Sequence, residues 1–288
     1  MSEVRAGLPL LKTLALTTAA MLAFAANSLL CRLALRQDLI DAASFGSIRL
    51  AAGAVTLAVI VRLRPGQAAA THSDWLAAAM LFAYVAFFSF AYLSLSAGTG
   101  ALILFGAVQV TMFSAGLRAG ERFRPLAWFG LALAVAGLVY LVSPGVAAPP
   151  VLGAAMMAAA GMAWGLYSLR GRGVSDPLAA TAGNFLRATP LALLVSLLFA
   201  TQARASTTGI ALAVASGAVT SGIGYVIWYA ALRGLSALRA ATVQLSVPLI
   251  AAFGGVALLS EAVTPRLLAA SAAILGGIAL VLASRSRR

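Results

Sequence analysis

Ten long apolar segments run through the chain, and they constrain its fold more than any other feature. A hydrocarbon core of about 30 Å is crossed by about 20 helical residues, so each segment is long enough to span a bilayer. The segments lack the alternation of polar and apolar residues that is typical of barrel strands. We predict an all-α integral membrane protein with ten transmembrane helices, at residues 10–31, 42–61, 75–95, 98–117, 125–143, 151–169, 178–200, 208–232, 237–259 and 265–284.

Composition and charge agree with a membrane protein. Only 9% of the residues are charged, whereas a soluble domain carries about 25%. The net charge of +13 would suggest nucleic acid as the partner of a soluble protein. Here most Lys and Arg residues fall in the tails and connections of one side, which the positive-inside rule assigns to the cytoplasm. We expect a multi-pass protein of the bacterial cytoplasmic membrane with both termini cytoplasmic and no nucleic-acid partner.

One motif occurs twice. The stretch "GERFRPLAWFGLALAVAGLVYLV" carries Glu121 four residues before Pro125, and "SEAVTPRLLAASAAILGGIALVLA" carries Glu261 four residues before Pro265. Each glutamate precedes a long apolar run, so the simplest interpretation is an acid near the positive end of a helix. The recurrence indicates an internal duplication.

Further matches extend the duplication along the chain. Arg49 corresponds to Arg187, and Gln109 corresponds to Gln244. Because five spans separate equivalent positions, the second copy must cross the membrane in the opposite direction. Inverted five-helix repeats are typical of alternating-access transporters, which bind substrate between the repeats. We predict these repeats at residues 1–144 and 151–288.

Small residues in the fifth and tenth spans predict a contact between them. Gly130 and Gly137 lie seven residues apart, and Ala270 and Gly277 repeat this spacing. Seven residues are about two helical turns, so each pair shares one face. Small residues on one face let helix backbones approach closely in lipid. We therefore expect the fifth span to pack against the tenth.

The doubled Glu/Pro/Gly pattern, the helix around Trp164 and the "IRLAAGA" segment around Arg49 resemble the EamA-type transporters of the drug/metabolite transporter superfamily. Within that family the chain is most similar to the bacterial YddG-type exporters of aromatic amino acids, although Phe24 stands where the family usually has a tryptophan. The resemblance implies a central cavity lined by spans 1, 3, 4, 6, 8 and 9, with spans 5 and 10 at the periphery.

Polar and aromatic residues within the spans are candidates for a substrate site. Phe24, Asn27 and Ser28 share one helix face because they are spaced i, i+3 and i+4. Aromatic stripes also occur in helix packing and in interfacial belts, but similar faces recur on several spans here. The predicted substrate-binding residues are Phe24, Asn27, Ser28, Tyr84, Phe88, Gln109, Trp164, Tyr167, Ser168, Tyr225, Trp228 and Gln244.

Two prolines and two arginines lie within spans. Pro248 predicts a helix kink that leaves the carbonyl of Gln244 without its donor, either for curvature alone or to line the site, and Pro190 predicts a second kink. Arg49 and Arg187 are costly in a membrane and are functional candidates. Two interpretations stay open for these arginines, namely structural pairing or snorkelling and recognition of a substrate carboxylate.

These observations predict an alternating-access exporter of small neutral metabolites, with aromatic or large apolar amino acids favoured. A facilitative mechanism is expected because no acid lies in the middle of a span. The alternative is a multidrug exporter of lipophilic compounds. An intramembrane enzyme is a remote alternative, since one histidine and one cysteine cannot build a catalytic or metal cluster. We expect no cofactor, and we expect a small-molecule substrate and the lipid bilayer as partners; the sequence does not identify protein partners.

Overall fold

The computed structural model describes residues 10–64, 74–120, 123–145, 148–171, 174–235, 240 and 243–284. These ranges form ten long helices and one isolated β-bridge, and the prediction of an all-α protein is confirmed for them. The helices are α1 (Leu10–Arg36), α2 (Ala42–Arg62), α3 (Trp75–Ala91), α4 (Ala97–Arg118), α5 (Pro125–Val142), α6 (Val151–Arg170), α7 (Pro177–Leu198), α8 (Thr207–Leu232), α9 (Ser246–Leu259) and α10 (Pro265–Ser284).

Eight of these helices are long and apolar enough to cross a membrane, and α3 and α9 are shorter apolar helices of 17 and 14 residues. Large apolar side chains such as Leu198 and Phe253 are 81% and 75% exposed on the outside of the bundle. A water-facing surface would not carry so many of them, whereas lipid is a good solvent for them. The chain is a multi-pass membrane protein.

Capping residues set where several helices begin. The carboxylate of Asp41 accepts a hydrogen bond from the Ser44 amide at 2.9 Å, and that of Asp74 accepts one from the Ala77 amide at 2.9 Å. Asp176 caps α7 in the same way. An oxygen at this position satisfies an amide that has no partner inside the helix.

The pairs of helices that pack against each other are related by a shift of five helices along the chain. Helix α1 packs against α8 and α9, and α6 packs against α3 and α4. Helices α2 and α7, α4 and α9, and α5 and α10 form three further pairs. If each helix is replaced by the one five positions away in the chain, the pair α1–α8 becomes α6–α3 and the pair α1–α9 becomes α6–α4. The other three pairs are unchanged by this replacement.

The predicted packing of the fifth span on the tenth is confirmed. A Cβ atom on Gly130 would lie 2.5 Å from the carbonyl oxygen of Gly277, and one on Gly137 would lie 2.8 Å from the Cβ of Ala273. The backbones of α5 and α10 therefore touch where both sequences have small residues, as in other close helix pairs in membranes.

Candidate substrate cavity

A cavity of about 40 Å³ lies among the helices and draws residues from both halves of the chain. The lining residues are Phe24, Asn27, Ser28, Arg49, Tyr84, Phe88, Leu104, Phe105, Trp164, Thr220, Ser221, Tyr225 and Gln244.

Aromatic rings form a continuous wall of this cavity. The Trp164 ring stacks on Tyr225 with centroids 5.7 Å apart and an interplanar angle of 12°, and its centroid lies 5.0 Å from that of Tyr84. Phe24 extends the wall beyond Tyr225 at 5.9 Å, and Phe88 extends it beyond Tyr84 at 5.4 Å. Such offset and tilted contacts are favourable geometries for aromatic rings. The wall offers an apolar surface to a planar or bulky group.

A hydrogen-bond network fixes the amide of Asn27 at the polar side of the cavity. Its Oδ1 accepts from the hydroxyl of Ser216 at 2.7 Å and from that of Thr220 at 3.4 Å. Its Nδ2 donates to the hydroxyl of Tyr84 at 3.5 Å. Because both ends of the amide have partners, its orientation is determined.

Arg49 is 1% exposed and lines the same cavity. Its Nη2 donates to the hydroxyl of Tyr84 at 3.1 Å, and its Nε donates to that of Ser221 at 3.3 Å. The guanidinium lies 5.2 Å and 5.0 Å from the ring centroids of Tyr84 and Phe88. Its Nη1 is buried and has no hydrogen-bond partner among the described residues. Snorkelling to a helix end was wrong for this arginine, since its side chain points into the protein.

A π-helical stretch from Ser216 to Ile223 interrupts α8 and was not predicted from the sequence. It places the hydroxyls of Thr220 and Ser221 at the cavity. A Cβ atom on Gly217 would collide with the carbonyl oxygen of Arg49, so glycine is required for α8 to approach α2 this closely. The available signal was the run "SGAVTSG", which is unusually rich in small and polar residues for a lipid-embedded helix. Short π-helical segments often occur at functional sites.

Tyr167 and Trp228 lie behind the aromatic wall rather than on its inner surface. The Tyr167 ring stacks on Trp164 at 5.5 Å, and its hydroxyl accepts from Asn184 at 3.4 Å. The Trp228 ring packs edge-on against Phe24 at 5.9 Å. Both residues are buried and support the rings that line the cavity.

Three other candidates lie away from the cavity in this conformation. Gln109 and Ser168 are half-buried on α4 and α6. Arg187 is half-buried on α7, and its guanidinium lies 5.7 Å from the ring centroid of Trp75, which is 61% exposed. The two arginines that match in sequence therefore occupy different environments.

The two prolines also differ from each other. Pro248 is the third residue of α9, in the first turn, where a helix has no acceptor for the missing N–H. The helical path breaks at Leu245, between Gln244 and the start of α9, and the kink at Pro248 stays a prediction. Gln244 precedes this break and lines the cavity, and its Nε2 donates to the carbonyl of Ala240 at 3.4 Å. Pro190 lies inside α7, and its side chain is exposed on the outside of the bundle.

Apolar helices packed around a partly polar cavity are the architecture of a membrane transporter for small solutes. Comparison with known proteins agrees, because residues 151–283 match the model of the EamA-like transporter family. The second half of the chain is therefore similar to EamA-like transporters, in agreement with the resemblance noted in its sequence. Members of the family are transporters rather than enzymes.

Two further comparisons cover almost the whole chain. The chain is 55% identical over 277 residues to the "Uncharacterized protein PA1977" of Pseudomonas aeruginosa, and the match covers 96% of each protein. A solved crystal structure, described only as that of a protein, superposes with a TM-score of 0.64 over 93% of this chain and 99% of that one. At 22% identity the second likeness shows a shared fold.

Proposed function

We propose that the protein is an alternating-access exporter of small neutral metabolites, and that its substrates are aromatic or large apolar amino acids. The observation that carries this proposal is the cavity, where Trp164, Tyr84 and Tyr225 form an apolar wall and the fixed amide of Asn27 lies beside the Tyr84 hydroxyl. An amino acid with a large side chain needs both kinds of surface. The similarity to YddG-type exporters points to the same substrate class.

Alternating access follows from the proposed inverted repeats at residues 1–144 and 151–288. The pattern of helix neighbours supports the repeats, because exchanging each helix with the one five positions later preserves the main packing pairs. The cavity residues come from both proposed repeats, as expected for a site between two halves that rock against each other.

In each proposed state of the transporter, one residue of an equivalent pair contacts the substrate and its counterpart in the other repeat does not. Ser28 and Gln244 line the cavity in the conformation described here, whereas their sequence counterparts Ser168 and Gln109 do not. Inverted repeats exchange conformations when the transporter opens to the other side. We therefore assign Ser168 and Gln109 to substrate contacts in the opposite state.

Transport is proposed to be facilitative, out of a cytoplasm that holds both chain termini. None of the described residues lining the cavity is an Asp, Glu or His. Proton-coupled carriers commonly relay charge through such residues in the membrane. A substrate would then move down its own concentration gradient across the cytoplasmic membrane.

Counterflow in proteoliposomes tests the substrate class. Vesicles loaded with unlabelled phenylalanine, leucine, a nucleobase or a cationic dye are diluted into labelled phenylalanine. We expect transient accumulation of label in vesicles loaded with phenylalanine, a smaller effect with leucine, and none with protein-free vesicles. Accumulation driven only by the cationic dye would support the multidrug alternative and contradict the proposal.

A further inference from the structure

We propose that Arg49 binds the carboxylate of the substrate, so that the cavity takes aromatic monocarboxylates whether or not they carry an amino group. This inference rests on the proposed function in one respect, which is that the cavity is the substrate site. It assigns a specific chemical role to one residue and names the part of the substrate that is indispensable.

The first argument is the unpartnered part of the guanidinium. Nε and Nη2 of Arg49 donate to Ser221 and Tyr84, but the two N–H groups of Nη1 have no acceptor among the described residues. A buried donor without a partner is costly, and it is more costly when it carries charge. Such a group is stable in a cavity if a ligand supplies the acceptor.

The second argument is the balance of charge. The acids that the structure describes lie at helix ends or in connections, and none lines the cavity; they are Asp38, Asp41, Asp74, Asp176 and Glu261. The positive charge of Arg49 therefore has no protein carboxylate opposite it among the described cavity residues. A buried cation is normally paired with an anion, and here the anion can come from the ligand.

The third argument is that the guanidinium is held ready for such a ligand. Tyr84 and Ser221 orient it from α3 and α8, and the ring of Phe88 lies against it at 5.0 Å. A planar guanidinium with free N–H groups matches the two oxygens of a carboxylate in geometry and charge. The neighbouring aromatic wall can hold the ring of the same molecule.

The amino group of an amino acid has no comparable partner. Among the described cavity residues, hydroxyls, two amides and aromatic faces could contact an ammonium, but no carboxylate is available to pair with it. The site thus favours the carboxylate over the ammonium. We expect an aromatic acid without an amino group to bind about as well as the amino acid.

Three ligands with the same ring and chain length separate these contributions. Phenylalanine carries both charged groups, 3-phenylpropionate carries only the carboxylate, and 2-phenylethylamine carries only the ammonium. Binding to the purified full-length protein in detergent is measured by isothermal titration calorimetry. We expect 3-phenylpropionate to bind within about threefold of phenylalanine, and 2-phenylethylamine to bind at least about tenfold more weakly, since a charged hydrogen bond is lost. Equal or tighter binding of 2-phenylethylamine would overturn the assignment.

Two matched variants place the effect on one arginine. Arg49→Lys keeps the charge but loses the planar fork, and we expect at least about tenfold weaker binding of 3-phenylpropionate with that of 2-phenylethylamine unchanged. Arg266→Lys changes an arginine at the start of α10, whose guanidinium lies 5.5 Å from the ring centroid of Tyr140 and away from the cavity, and should alter neither. Unchanged binding of 3-phenylpropionate to a folded Arg49→Lys protein would overturn the assignment. The ligand series on the wild-type protein tests the inference even if that variant does not fold.

The same data distinguish this inference from the proposed function. If phenylalanine undergoes counterflow but its binding ignores both the carboxylate and Arg49, the role of Arg49 is wrong and the function stands. If 3-phenylpropionate binds through Arg49 while no amino acid binds or exchanges, the role of Arg49 stands and the amino-acid function is wrong.

Discussion

Arg32 and Glu261, 229 residues apart in the chain, form an ion pair with 3.1 Å between Nε of the arginine and Oε1 of the glutamate. Their side chains are only 14% and 9% exposed. The second oxygen of Glu261 accepts a hydrogen bond from the amide of Ala97 at 2.8 Å, at the first residue of α4. Glu261 therefore caps the start of α4 and not the start of α10, the helix that follows it in the sequence.

The same ion pair ties several elements together at one end of the bundle. Nη1 of Arg32 donates to the carbonyls of Tyr92 and Leu93 at 2.9 and 3.2 Å, beyond the end of α3. One arginine and one glutamate thus join α1, α3, α4 and the segment before α10. Glu121, the sequence counterpart of Glu261, lies outside the described residues.

Glu261→Gln is expected to lower the free energy of unfolding by about 1–2 kcal/mol, because a charge-assisted hydrogen bond in a partly buried site becomes a neutral one. The measurement is thermal unfolding of the purified protein in detergent. Asp38→Asn is the matched control, since Asp38 pairs with Arg204 at 3.2 Å but both side chains are more than half exposed. Exposed pairs contribute about 0–1 kcal/mol. A Glu261→Gln protein that unfolds with the wild type would show that the pair is not stabilising.

Asp74 gives a prediction for acid pH. The hydrogen bond from the Ala77 amide and the guanidinium of Arg170, 2.5 Å away, hold the pKa of the Asp74 carboxyl below its usual range. A lowered pKa in the folded state means that the carboxylate stabilises the protein above its unfolded pKa of about 3.9 and loses this effect as the pH falls through the folded value.

Asp74→Asn isolates this charge, because asparagine caps a helix about as well as aspartate. We expect the variant to unfold at a lower temperature than the wild type at pH 7, with a constant difference down to about pH 5 that closes below about pH 4. Thermal unfolding measured across this range tests the expectation. A difference that stays constant from pH 7 down to about pH 2 would assign the effect to packing rather than to charge.

Adjacent glycines of α10 test the contact with α5. A Cβ atom on Gly277 would collide with the carbonyl oxygen of Gly130, whereas one on Gly276 would meet nothing within 4 Å. Gly277→Ala is expected to destabilise the protein by about 1–3 kcal/mol through overpacking. Gly276→Ala should be neutral or slightly stabilising, because alanine is the better helix former. Equal unfolding midpoints for the two variants would contradict the packing described here.

The helices could be predicted from the sequence because the bilayer imposes a length and an apolar composition on each span. The packing of Gly130 against Gly277 could be predicted from the small residues that share one face of each helix. Much of the cavity was also predictable, since Phe24 and Asn27 share a helix face with a fixed period. Each of these predictions depends only on residues within one helix or within one repeated motif.

The features that were missed depend on contacts between helices. The π-helical stretch turns Thr220 and Ser221 toward the cavity, and helical periodicity alone does not place them there. The side chain of Arg49 is held by partners on α3 and α8. The residues of α2 alone therefore could not distinguish a buried guanidinium from one that snorkels to the membrane surface.

Facilitative transport predicts the absence of proton-driven accumulation. Proteoliposomes are prepared with equal phenylalanine inside and outside, and a pH gradient is imposed. We expect exchange of label but no net accumulation, because no Asp, Glu or His is among the described cavity residues. Net uptake that a protonophore abolishes would demonstrate coupling and contradict the facilitative mechanism.

The proposed function requires that the aromatic-walled cavity is the transport site. Phenylalanine counterflow is therefore compared between Trp164→Ala, which removes the centre of the wall, and Trp128→Ala, which removes a ring that is 48% exposed on the outside of α5. With both variants folded and reconstituted at equal density, we predict that Trp164→Ala slows exchange about tenfold or more while Trp128→Ala exchanges at the wild-type rate. Wild-type exchange by Trp164→Ala would contradict the account.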